Sequence, residues 1–183
     1  MSSSFGQAPR ITAILLLTSA LVAISLAANS AEPDSGHFTV TVYSNTRGTQ
    51  ELLTGRYDEA LVRLQAPGVG NATAFEAATN LCVAQMMAGH FESARGTCDA
   101  AVKSARSSLA IPHWGPTAGA NQKDVAIAYA NRAVLHWLTD DTHSAESDLA
   151  QAKRFAPDAD FVTRNLTALS SQDSTDTPLR LAR

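Results

Sequence analysis

One six-residue pattern returns along the chain at a fixed interval, and that interval limits the folds open to it. Gly55-Arg56-Tyr57-Asp58-Glu59-Ala60 aligns with Gly89-His90-Phe91-Glu92-Ser93-Ala94 at an offset of 34 residues: glycine on glycine, aromatic on aromatic, acid on acid, alanine on alanine. Leu64 falls on Cys98 at the same offset. A third copy, Asp140-Asp141-Thr142-His143-Ser144-Ala145, is followed by Leu149, Ala152 and Pro157, and lies 51 residues beyond the second, which is 34 plus a 17-residue insertion. A unit of this length cannot bury its apolar face alone, so successive copies must stack on one another. Alanine supplies 33 of the 183 residues. It gives up no side-chain entropy in a helix and sits poorly in a sheet, so the stacked units are expected to be helical.

The three copies resemble the tetratricopeptide repeat, a helix-turn-helix unit of this length. The third copy carries the fullest likeness. Ala128-Tyr129-Ala130-Asn131-Arg132-Ala133 resembles the first helix with its small close-packing residue, and Ala145, Leu149, Ala152 and Pro157 match the second helix and its terminating proline. The second copy departs by placing Cys82 at the position of Ala133 and Arg106 at that of Pro157; the first has Gly48 at the small position and stops early at Pro67-Gly68. The resemblance implies an all-α fold, a short α-solenoid of about three helix pairs. Copies are expected near residues 41–74, 75–108 and 126–159 of a repeat domain over 44–170, interrupted by an insertion over 109–122. Helices are expected over Asn45 to Thr54, Tyr57 to Gln65, Thr73 to Ala88, Phe91 to Ser107, Lys123 to Leu138 and His143 to Phe155, with Asn71 and Asp158 at cap positions. A last helix over Asp160 to Ser170 has one apolar face and reads as the cap that closes a solenoid.

The ends of the chain read differently. Residues 1–31 combine a polar start holding Arg10, an apolar stretch from Ile11 to Ala28 and a small-residue exit, the pattern of a secretory signal peptide. The stretch is either cleaved or kept as an anchor, and in both cases the rest of the chain is exported, to a bacterial periplasm or beyond. Residues 32–43 form a linker in which Phe38-Thr39-Val40-Thr41-Val42-Tyr43 alternates and is β-branched, an extended rather than helical pattern. The Ser-, Thr- and Asp-rich tail over 171–183 is expected to lack fixed structure.

Charge and motifs exclude several functions. With 14 basic against 17 acidic residues and no basic run, the electrostatic footprint of a nucleic-acid binder is missing. The five histidines have no metal-ligand spacing, no serine sits in a G-x-S-x-G elbow, and Gly68-Val69-Gly70 lacks the lysine of a phosphate loop. No catalytic residue, metal or cofactor is therefore expected. Cys82 and Cys98 fall on the facing helices of the second repeat, either as a disulfide in an oxidising compartment or as two buried thiols. In the insertion, Trp114 either packs across the break or belongs to a protruding contact loop.

The resemblance further implies a concave groove lined by the first helix of each pair. Its candidate residues are Asn45 from the first copy, Thr79, Asn80, Val83 and Met87 from the second, and Ile127, Asn131 and Val134 from the third. Asn80 and Asn131 match the family's groove asparagine, whose amide can both donate to and accept from an extended backbone. The positions of the cationic carboxylate clamp hold Asn45, Ile127 and Asn131, so the groove suits a neutral, mildly apolar segment. The expected function is that of an exported, non-catalytic scaffold binding a protein or peptide partner or a second copy of itself. An envelope thiol-redox protein and a small-molecule sensor are the alternatives.

Overall fold

The computed structural model describes residues 37–66, 73–109, 118–171 and 180–182, with 118–121 and 180–182 described in backbone only. Strand β1 (Thr39–Thr41) comes first, then helices α1 (Thr49–Leu53), α2 (Tyr57–Gln65), α3 (Ala74–Met87), α4 (Phe91–Leu109), α5 (Ala118–Leu138), α6 (Thr142–Phe155) and α7 (Asp160–Ser170), and last strand β2 (Arg180–Ala182). The fold is all-α apart from these two short strands. The signal segment 1–31, Asn71 and Trp114 lie outside the described residues.

The repeated hexapeptide is the turn inside each helix pair. Gly55, Gly89 and Asp140 take φ of 75°, 77° and 59°, the left-handed conformation that ends a helix. The following N–H then reaches back to the exposed carbonyls of the finished helix: Arg56 to Glu51, His90 to Gln85 and Asp141 to His136, at 2.9, 2.8 and 2.9 Å. The aromatic of the first two copies, Tyr57 or Phe91, opens the second helix. Five residues after the left-handed position, Ala60, Ala94 and Ala145 are wholly buried, as is Ala133. Small side chains there let paired helices approach. Gly48 serves the same need in the first pair, since a Cβ on it would stand 2.8 Å from the Ala60 carbonyl oxygen and 3.1 Å from Leu64.

From α1 to α7 each helix packs on the next in the chain, and α3 and α7 each also meet α5. Between α3 and α4 the contact is covalent: Cys82 and Cys98 form a disulfide with Cα atoms 4.9 Å apart. A second tie joins α4, α5 and α6. The Arg132 guanidinium grips both oxygens of buried Asp148 at 2.7 and 2.8 Å and reaches Asp99 at 2.8 Å, which holds its charged form well past the ordinary arginine range.

Several local expectations are corrected. Helix α1 is shorter than expected because the hydroxyl of Thr49 bonds the Tyr43 carbonyl at 2.8 Å and turns the chain before the helix begins. The cap of α3 is Thr73, in a reciprocal capping box with Glu76. Asp158 caps nothing, because Ala159 holds the cap position of α7. Residues 180–182, read as part of a structureless tail, form β2, which pairs with β1 in parallel, Thr39 against Arg180, Val40 against Leu181 and Thr41 against Ala182.

Asp140 is the one turn residue of the three that carries a Cβ in left-handed backbone. Replacing it with glycine should stabilise the fold by about 0.5–1 kcal/mol, raising Tm by roughly 1–3 °C. A lower melting temperature for Asp140→Gly would show that the aspartate side chain, rather than the backbone, decides that turn.

Candidate functional site

The alternation in Phe38 to Tyr43 has a physical use. In an extended chain the N–H and C=O of one residue point to the same edge and those of the next residue to the opposite edge. Helices α3, α5 and α7 meet one edge of β1 with one asparagine each. Asn165 accepts the Thr39 N–H at 2.6 Å and donates to its carbonyl at 2.9 Å. Asn131 does both to Thr41, at 2.8 and 2.8 Å. Asn80 does both to Tyr43, again at 2.8 and 2.8 Å. Each primary amide thus reads one residue of extended backbone as a neighbouring strand would, and every second residue is held.

The amides need these bonds. All three asparagines are buried, and a primary amide withdrawn from water without partners is costly. Asn80 also donates to the hydroxyls of Thr46 and Thr49, which in turn bond the Tyr43 carbonyl, so the lead-in to α1 belongs to the same network. The side chains of the strand complete the burial. Phe38, Val40 and Val42 are in the core, Phe38 with its ring 4.5 Å from that of Trp137. On the other side the Tyr43 ring meets Phe75 edge-on at 5.2 Å. Its hydroxyl donates to Asp124 at 2.6 Å. Burial, reinforced by this carboxylate, holds the phenol protonated far above its usual range, and burial also pushes the Asp124 carboxyl up despite the bond that opposes it.

The expected groove residues are therefore partly assembled. Asn80 on α3 and Asn131 on α5 face the chain's own residues 43 and 41 rather than open solvent. Thr79, Val83 and Val134 are buried, Thr79 with a hydroxyl that has no hydrogen-bond partner. Met87 is half-buried at the end of α3. Asn45 stands apart, exposed, donating to Glu76 at 3.0 Å. Ile127 lines an open cavity of about 880 Å³ that runs beside β1, with Thr39, Thr41, Asp124, Asp160 and Arg164. Sequence reasoning missed Asn165, although it follows Asn131 by 34 residues and Phe161 follows Ile127 by the same interval. That register was the available signal.

The site can hold polypeptide, and its chemistry is hydrogen bonding. Among the described residues no group of three or more histidine, cysteine, aspartate or glutamate side chains is placed to hold a metal. Both half-cystines are buried, so no thiolate faces solvent. The disulfide is compatible with an oxidising compartment, and no described helix is long and apolar enough to cross a membrane. The chain matches no family model, no curated protein and no solved structure.

Asn131→Ala leaves the Thr41 N–H and C=O buried without partners and should cost about 2–4 kcal/mol of stability in urea unfolding. Asn45→Ala, at an exposed bond, should cost under about 0.5 kcal/mol. Equal costs for the two would show that the amide ladder does not hold the strand.

Proposed function

We propose that this chain is an exported, non-catalytic scaffold of the tetratricopeptide-repeat kind that grips extended polypeptide in its concave groove, in a bacterial periplasm or outside the cell. The observation that carries the proposal is the set of amides on Asn80, Asn131 and Asn165, each bonded to both backbone groups of one residue in an extended segment. Such contacts recognise a main chain, not a side chain, and are the means by which a groove binds peptide. The spacing of the asparagines, 34 residues from Asn131 to Asn165 and 34 plus the 17-residue insertion from Asn80 to Asn131, and the buried alanines of the hexapeptides support the repeat reading. The signal-like start and the disulfide support export.

The groove in this conformation is occupied by residues 38–43 of the same chain. A polypeptide in trans must therefore take the place of that segment, and the resident sequence states what the groove accepts: bulky apolar side chains at every second position and no charge between them. Partner binding is governed by how firmly the resident strand sits.

The test loosens the resident without touching the ladder. Phe38→Ala removes a buried ring and frees the strand to exchange, at a cost of about 3–5 kcal/mol. A labelled synthetic peptide of residues 37–44 should bind the Phe38→Ala chain at least about tenfold more tightly than it binds the native chain, and Asn131→Ala added to that variant should abolish the gain. Binding indifferent to Asn131, or no binding to the loosened chain, contradicts the proposal.

A further inference from the structure

The asparagines use one edge of β1, the edge of Thr39, Thr41 and Tyr43. The main-chain groups of Val40 face the opposite edge, away from the helices, and there the parallel partner is β2. Its length decides how firmly it is held. Three paired residues supply a handful of hydrogen bonds, each weak in net terms because water competes for it, against the entropy of ordering the same three residues. The two effects are of similar size, so the pairing is close to balance. In the segment around β1, by contrast, Phe38, Val40 and Val42 add buried apolar side chains to the ladder. The fold thus contains a firmly anchored strand whose outer edge is covered by a lightly held one.

An edge of this kind is a template for another strand. Beside β1 lies the open cavity of about 880 Å³, bounded by Thr39, Thr41, by Lys123, Asp124 and Ile127 of α5 and by the start of α7. Its charged lining is Asp124, Asp158 and Asp160 against Lys123 and Arg164, a small acidic excess. The register of β2 sets position 180, an arginine in the sequence, level with Thr39.

We propose that the outer edge of β1 and the adjoining cavity form a strand-addition site for an extended segment of a partner protein, which runs parallel to β1 and carries a basic residue level with Thr39. The chain's own residues 180–182 are the resident stand-in, and a partner segment longer than three residues displaces them by pairing on the same edge while its alternate side chains enter the cavity. Charge complementarity with Asp158 and Asp160 fixes the register. The site rests on the reading of the groove as a holder of extended chain only in requiring β1 to be seated there; it does not require β1 to exchange.

The experiment uses the exported chain carrying Ala182→Pro, whose residue 182 has no N–H to give to the Val40 carbonyl, and a fluorescent peptide of residues 176–183 as the probe. The variant should keep the native melting temperature and bind the probe at least tenfold more tightly than the native chain does. Arg180→Glu in the probe should weaken binding at least threefold, and N-methylation of its Ala182 should abolish it. Probe binding no tighter in the variant than in the native chain, or indifferent to N-methylation, overturns the site. A native dimer in gel filtration that Ala182→Pro dissolves overturns the partner assignment, since the edge then serves a second copy. Because the resident β1 stays in place throughout, these readings stand apart from the Phe38→Ala exchange test, and failure of either is recognised separately.

Discussion

A buried asparagine amide needs a donor and an acceptor at once, and the arrangement of this protein follows from supplying both three times over. A side chain facing it rarely offers the pair in the right geometry, whereas one residue of extended backbone always does. Asn80, Asn131 and Asn165 therefore require a strand along the helices, and Phe38 to Tyr43 is that strand. Its β-branched alternation is what lets it stay extended while Val40 and Val42 fill the core on one side. Remove the strand, and three buried amides lose their partners along with a hydrophobic row.

The helices have to keep those amides in step, and the other conspicuous contacts of the fold serve that alignment. The turns at Gly55, Gly89 and Asp140 share one left-handed backbone conformation, and Ala60, Ala94 and Ala145 let the returning helix lie close. The Cys82–Cys98 disulfide fixes α3 to α4, and the Arg132 fork fixes α5 to α6 through Asp148 and to α4 through Asp99. Neither tie offers a reactive group to solvent along the groove. Both restrict sliding between helices, which would throw the amides out of register with a backbone that repeats every two residues.

Local periodicity made the helices legible. The observed bounds of α2 and α7 coincide with those expected, and the hexapeptide spacing located the turns, because turn geometry and amphipathic faces are written in neighbouring residues. Pairings between distant residues were legible only where a repeat marked them. Asn80 and Asn131 were found through the aligned helices, while Asn165 escaped notice because no copy of the hexapeptide follows α7 to announce a further unit. The extended character of Phe38 to Tyr43 was visible, but not its destination, since its partners lie 37, 90 and 126 residues away. Strand β2 was invisible for a related reason: three residues beside a polar tail carry no period, and their order comes wholly from the edge they pair with.

The central claim is that the strand belongs to the core of the folded chain rather than resting on it. Amide hydrogen exchange resolved by residue tests this most directly. In the chain without a partner, the Thr39, Thr41 and Tyr43 amides, each donating to a buried asparagine, should be strongly protected, with exchange rates approaching those of buried amides of α5 such as Val134 and Leu135. If these three amides exchange orders of magnitude faster than the helix amides under native conditions, the asparagine ladder does not hold the strand and the account of the groove is wrong.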